Sequence, residues 1–252
     1  MINSKTKKIH SAEVIKIEEV AKSSYLLELK PRIPITVNAG QFISIYCEGL
    51  TLRRPFSVFS NNNGNIGILF KERGKGTQYM KSLKVGDIVN LMGALGNGFK
   101  IENKKSLLIG AGVGVAPISY LKSKLTERNI QNIFIAGYKN IEEIPSCVKS
   151  DYICTDDGSF GERGNVLTVC QSLIKEYQPD VIYACGPKVV LKAIAELGKK
   201  YGIETQVAME KVMACGIGVC RGCVIDVIKD GRVQNASVCK DGPVFYGEDI
   251  VW

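Results

Sequence analysis

The sequence predicts a small antiparallel β-barrel or sandwich, followed by a parallel α/β domain and then a compact cysteine-rich module. Three observations carry this. From Ser11 to Met92, short alternating runs such as YLLELK, QFISIYC, FSVFS and IGILF are separated by Gly, Asn and Pro clusters, which is how antiparallel strands read. From Ser106 onward, strand candidates SLLIGAG, IFIAGY, YICTDD and VIYACGP alternate with helix candidates ISYLKSKLTER, VLTVCQSLIKEY and VVLKAIAELGKKYG, the pattern of a parallel sheet with crossover helices. Near Gln206 the long helical periodicity stops, and cysteines and glycines dominate. The expected units are residues 1–100, 101–205 and 206–252, with short linkers that hold them in fixed relation.

Composition excludes several classes. A chain of 252 residues, 45% hydrophobic and 23% charged, is ordinary globular material with room for two modest cores. The net charge of +8 comes from scattered lysines and arginines, which serves solubility and argues against nucleic acid. The first twenty residues mix charges into every window and lack the ~7 to 15 apolar residues of an export signal. The most apolar segment, Leu107 to Leu121, is interrupted by three glycines and a proline and falls short of the ~20 residues that span a bilayer. A cytoplasmic chain with no membrane contact is expected. In that setting nine cysteines point to metals or chemistry rather than to disulfides.

The strongest chemical signal is Cys215-x4-Cys220-x2-Cys223, followed after fifteen intervening residues by Cys239. C-x4-C-x2-C with a distant fourth Cys is the plant-type [2Fe-2S] spacing. Gly216, Gly218 and Gly222 let the backbone fold tightly around a cluster and aim N–H groups at its sulfurs. A structural zinc site is the alternative, although zinc ribbons favour paired C-x2-C knuckles and this chain has one. Cys47, Cys147, Cys154 and Cys170 stand singly and read as small buried hydrophobes.

Arg54-Pro55-Phe56-Ser57-Val58-Phe59-Ser60 offers an arginine for bidentate pairing to a pyrophosphate, a flat ring to pack on an isoalloxazine and a hydroxyl for a flavin nitrogen. It matches the R-x-[aromatic]-S-x-x-S signature of the ferredoxin reductase superfamily. Leu69-Phe70-Lys71 and Gly76-Thr77 follow at a suitable distance.

Leu107 to Pro117 reads as a strand, a glycine turn (Gly110, Gly112, Gly114) and a helix with Pro117 in its first turn. Such a turn brings backbone N–H groups and a helix N-terminus against a pyrophosphate. Val115 stands where a strict G-x-G-x-x-G would place its third glycine. Cys185-Gly186-Pro187 ends a later strand, and Thr155-Asp156-Asp157-Gly158-Ser159 suggests a second nucleotide loop with Asp157 as a contact. With Asp156, Asp157 and Glu162 near and no basic cluster evident, NADH should be preferred over NADPH. The only histidine, His10, lies in a segment read as a charged tail and is expected to be solvated.

The combination of RPFS, GT, GAGVGVAP, TDDGSFGERG, CGP and CGIGVCRGC…VCKDGPVF resembles the electron-transfer subunits of class 1B dihydroorotate dehydrogenases over nearly the whole chain. Their cluster motif, E-x-x-M-A-C-G-x-G-x-C-x-G-C, stands here as Glu210 to Cys223, while Phe56 occupies a position where the family often has isoleucine. The resemblance implies a β-barrel FAD domain, an α/β parallel-sheet NAD domain and a small C-terminal [2Fe-2S] module. It also implies that Cys185 lies beside the nicotinamide and that the cluster exchanges electrons with an FMN-containing catalytic subunit, in a heterotetramer of two plus two. Met209, Met213, Ile217 and Val219 are the expected docking face, with packing inside the module as the alternative. The competing readings are an NAD(P)H-ferredoxin or sulfhydrogenase-type diaphorase subunit, and a zinc or redox-sensing protein without flavin chemistry. A visible spectrum separates the last, since zinc is colourless.

Overall fold

The computed structural model describes residues 9–252. Residues 1–8, on which part of the export-signal expectation falls, lie outside the described residues. β1 (Ile9–Ala21), β2 (Ser24–Pro31), β3 (Phe42–Ile45), β4 (Arg54–Ser57), β5 (Ser60–Asn62), β6 (Asn65–Lys71) and β7 (Ile88–Leu95) form one sheet in the order β4-β3-β7-β1-β2-β6-β5, every pair antiparallel. Its ends curl together: the ring of Phe56 on β4 lies 6.0 Å from that of Phe70 on β6, so the sheet wraps towards a barrel. Asn63 and Gly64, both with positive φ, make the tight turn that joins β5 to β6. Between β6 and β7 runs α1 (Lys75–Ser82), whose Thr77 hydroxyl accepts from the N–H groups of Arg73 and Gly74 at 2.8 and 3.1 Å.

The second sheet holds β8 (Ser106–Ala111), β9 (Asn132–Tyr138), β10 (Tyr152–Thr155), β11 (Glu162–Arg163), β12 (Val181–Cys185) and β13 (Glu204–Ala208), parallel in the order β11-β10-β9-β8-β12-β13. The crossovers carry α2 (Val115–Glu127), α3 (Val166–Tyr177) and α4 (Lys188–Tyr201). Asn165 caps α3 by accepting from Leu167 N–H at 3.0 Å, and Gly202 ends α4 in the left-handed conformation, the usual helix stop. β14 (Val224–Lys229) and β15 (Arg232–Ser237) pair as a hairpin across Asp230-Gly231, both at positive φ. β16 (Val244–Tyr246) then returns to pair antiparallel with the edge strand β13.

Two corrections to the sequence reading follow. His10 lies within β1, opposite Leu91 and half-buried, because β1 extends further towards the N-terminus than its charged composition suggests. The segment after Gln206 is joined to the α/β sheet through β16, and its apolar residues share a core with it: Cys223, Ile225, Val238 and Cys239 pack in one cluster with Leu107, Ile109, Ile182 and Val207. The other core fills the barrel and the α2 face of the parallel sheet. Among the described residues no helix is long and apolar enough to cross a membrane.

Candidate functional site

The cysteine loop is built from left-handed residues. Gly216, Gly218 and Arg221 have φ of +67°, +83° and +55°, a course only glycine adopts at no cost. It turns main-chain donors inward: the N–H groups of Ile217 and Cys220 reach Cys215 Sγ at 3.5 and 3.4 Å, Gly222 N–H reaches Cys220 Sγ at 3.4 Å, and Cys239 N–H reaches Cys223 Sγ at 3.4 Å. Burial pushes the Cys215 thiol up, but the N–H groups of Cys220 and Ile217, with the Cys220 thiol, outweigh it and bring it down to about 6. Burial and then the neighbouring Cys223 push Cys239 up to about 12.

Cys215 interacts most directly with Cys220, and Cys239 with Cys223. Two irons bridged by sulfide take two cysteines each, so the pairs fit a [2Fe-2S] cluster. Cys220 is exposed whereas Cys223 and Cys239 are buried, which directs one edge of the site outward.

A cavity of about 620 Å³ opens along the barrel. Pro55, Phe56 and Ser57 of β4 face Leu69, Phe70 and Lys71 of β6 across it, with Thr77 at its rim. Arg54 lies beside the cavity rather than in its wall. Its Nη1 donates to Leu52 O at 2.6 Å, and its side chain crosses α1 so closely that a Cβ on Gly76 would lie 2.8 Å from Arg54 Cγ. A guanidinium and a helix N-terminus thus meet at one place, the chemistry a pyrophosphate requires.

A second cavity of about 240 Å³ sits over the C-terminal edge of the parallel sheet. Gly112, Val113, Tyr138, Asp156 and Pro187 line it, and it shares Leu69, Lys71, Arg73 and Val113 with the first. Gly112, at φ +56°, has open space where a Cβ would point, whereas Gly114 packs on the Cys185-Gly186 peptide. Gly110 and Gly186 are likewise filled, by Val115 and Ala111, and Pro117 is buried in the first turn of α2. Cys185 is buried beneath this contact, its thiol driven far up by burial and then by the Glu210 carboxylate.

Asp157 does not line the cavity. Its carboxylate accepts from Ser159 N–H at 2.9 Å and is held low by that residue, leaving Asp156 to face the nucleotide space. Basic side chains are nearer than the sequence suggested: Lys71, Arg73 and Lys139 line the cavity, with Lys71 paired to Glu143 at 2.6 Å. NADH is still expected to exceed NADPH in kcat/KM, because the Asp156 carboxylate repels a 2′-phosphate. Asp156→Ser should narrow the ratio, and an NADPH preference in the unaltered chain would overturn the assignment.

Sequence reasoning missed the segment from Met209 to Met213, which with Pro243 closes the first cavity. The signal lay in the motif itself, since Glu210 opens the same E-x-x-M run that enters the cysteine loop. The expected docking face is corrected accordingly. Met209 is buried, and Met213 and Ile217 pack partly against the second core, while Val219 is 75% exposed. Ile217→Asp should therefore destabilise the cluster loop, seen as faster bleaching of the cluster in air.

Comparison with known proteins agrees with this geometry. Residues 210–251 match the iron-sulfur cluster binding domain of dihydroorotate dehydrogenase B, and residues 11–99 match an oxidoreductase FAD-binding domain. The chain is 38% identical over 250 residues to the dihydroorotate dehydrogenase B (NAD⁺) electron transfer subunit of Caldanaerobacter subterraneus subsp. tengcongensis, covering 96% of this chain and 98% of that one. It is 33% identical to the corresponding subunit of Geobacillus kaustophilus, covering 92% and 94%. Among solved structures it is similar to a chain of the NADH-dependent reduced ferredoxin-NADP oxidoreductase reported for flavin-based electron bifurcation, with a TM-score of 0.83 and 27% identity over 96% of this chain and 90% of that one. A ferredoxin reductase of carbazole 1,9a-dioxygenase, at TM-score 0.67 and 21% identity over 78% and 66%, shares the fold.

Proposed function

The chain belongs to the family of electron transfer subunits of dihydroorotate dehydrogenase B (NAD⁺), and on that premise we propose that it links an FMN-containing catalytic subunit to NAD⁺ through a [2Fe-2S] cluster and FAD, in pyrimidine biosynthesis. The single observation that carries the reading is the shared wall. Leu69, Lys71, Arg73 and Val113 line both cavities, and the larger cavity ends on Met213, two residues before Cys215. This adjacency supports a nucleotide site, a flavin site and a thiolate site in succession.

FAD, when bound, exchanges a hydride with nicotinamide and single electrons with the cluster. The chain's own residues bind and orient. Arg54 and the first turn of α1 neutralise the FAD pyrophosphate, Phe56 covers the flavin ring, and Ser57 offers its hydroxyl to it. Gly112 leaves room for the dinucleotide pyrophosphate, and the four cysteines hold the cluster. Arg54→Ala should weaken FAD binding ten- to a hundredfold, from a charge-assisted contact of roughly 1.5 to 3 kcal/mol. Equal binding of FMN and FAD to the unaltered chain would remove the pyrophosphate argument.

Dihydroorotate oxidation is assigned to the partner subunit, in keeping with the electron transfer role that the relatives' names state. The proposed assembly is cytoplasmic, two copies of each subunit, with the exposed Cys220 edge towards the partner. The alternative, an NAD(P)H-ferredoxin type diaphorase subunit, draws support from the 0.83 TM-score. The test is reconstitution. The purified chain should reduce dyes with NADH, fail to oxidise dihydroorotate, and do so with NAD⁺ once the catalytic subunit is added. Oxidation without a partner refutes the division of labour, and turnover with ferredoxin but not with the catalytic subunit favours the alternative.

A further inference from the structure

Cys239 is followed by a turn, Asp241 to Val244, that a single residue fastens to the end of the barrel. Asn97 follows β7. Its main-chain N–H donates to Gly242 O at 2.7 Å, its side-chain amide donates to Asp241 O at 2.9 Å and Val244 O at 3.2 Å, and its Oδ1 accepts from Val244 N–H at 3.1 Å. Beside it, a Cβ on Gly96 would lie 2.6 Å from Pro243 Cδ, so barrel and turn are in direct contact. The turn also bonds in two other directions. The Asp241 carboxylate accepts from Ser237 N–H at 2.7 Å, at the end of the cluster hairpin, and Pro243 O accepts from Met209 N–H at 2.8 Å. Pro243 is itself a wall of the flavin cavity.

One short turn thus carries the shoulder of the fourth cysteine and part of the flavin cavity. We propose that Asn97 is a positioning residue that fixes Cys239 relative to that cavity, and so sets the gap that single electrons cross. The inference rests on the flavin-to-cluster path proposed above. Transfer between fixed centres weakens steeply with separation, so the lever available to the chain is mechanical. Asn97 supplies it without touching either site: its side-chain partners are all main-chain groups of a turn far along the chain, and they hold whatever side chains the turn bears.

The test uses the full chain loaded with FAD and cluster, in the variants Asn97→Ala and Asn97→Asp. Losing three side-chain hydrogen bonds should open the turn roughly ten- to a hundredfold more often, measured as faster hydrogen exchange at the Val244 amide. NADH-dependent dye reduction and the EPR intensity after dithionite should stay at wild-type level. Bleaching of the cluster by NADH should slow, because a turn no longer tied to the barrel does not fix Cys239 against the flavin cavity. Asn97→Asp keeps the acceptor for Val244 N–H but sets a carboxylate against two carbonyls, and should show the same slowing. Unchanged exchange at Val244, or wild-type cluster reduction by NADH in both variants, overturns the proposal. A cluster in the unaltered chain that NADH does not reduce at all overturns the path beneath it.

Discussion

Serine in place of Cys239 is expected to abolish the EPR signal of the reduced cluster while leaving the flavin spectrum intact. Cys239 is buried and its Sγ interacts with that of Cys223, so under the proposed ligand set its loss removes one of two thiolates from one iron. A serine hydroxyl does not replace it, because iron–sulfur clusters are held by thiolates and a hydroxyl at neutral pH stays protonated. Cys215→Ser, Cys220→Ser and Cys223→Ser should behave alike. Cys170→Ser is the control. That side chain is buried in α3 with its thiol pushed up to about 12 by burial alone, and burying a hydroxyl there costs about 1 to 3 kcal/mol of stability without touching the cluster. A normal signal in Cys239→Ser would remove it from the ligand set.

Gly114→Val should cost the chain most of its reactivity towards NADH. A Cβ at Gly114 would stand 2.3 Å from Cys185 O and 2.5 Å from Cys185 C. Both are main-chain atoms of the interior strand β12, so no flexible side chain can move aside. The glycine turn must then lift from the sheet, at a cost of ~1 to 3 kcal/mol or more, and kcat/KM for NADH should fall roughly ten- to a hundredfold or further. Binding of FAD should survive, since Pro55, Phe56 and Ser57 of β4 and Leu69, Phe70 and Lys71 of β6 line its cavity while the glycine turn contributes Val113 alone. Gly112 offers the contrast. It has free space but a positive φ, so Gly112→Asn, which tolerates the left-handed region, should leave the turn seated on the sheet and weaken NADH binding only by filling the space proposed for its pyrophosphate. Equal NADH kinetics in Gly114→Val and the unaltered chain would show that the close approach does not shape the nucleotide site.

What could be read from the sequence was whatever local chemistry dictates. The spacing of Cys215, Cys220 and Cys223, the Arg54 to Ser57 run, and the glycine turn before α2 are all encoded within a few residues. The strand and helix alternation after Ser106 is equally local, because each apolar face repeats within its own element. The rest depends on partners distant in sequence. β16 is three residues long, and nothing in Val-Phe-Tyr says that it pairs with β13. α1, spelled KGTQYMKS, has too few apolar residues to announce a helix. Asp156 and Asp157 are indistinguishable as letters, and the difference is made by the Ser159 N–H that occupies one of them. Glu210 reached the vicinity of Cys185 through the packing of the last sheet edge. Two signals were available and local: Asn63-Gly64 and Asp230-Gly231 both mark tight hairpins.

Among the described residues two cores form, and neither coincides with a single stretch of sequence. One joins the barrel to the α2 side of the parallel sheet; the other joins the opposite side of that sheet to the cysteine module, with Phe42, Met92 and Leu95 of the barrel included. A graft that cut the chain just after β13 and moved the C-terminal segment to another flavoprotein would carry away half of a packing interface and strip β13 of its neighbour β16. Such a chimera should expose an unpaired strand edge and aggregate. Transplantable units for engineering must instead begin upstream of β13 or bring that strand with them, and iron limitation in the cell should be felt as loosening of the nucleotide-binding sheet as well as of the module that holds the metal.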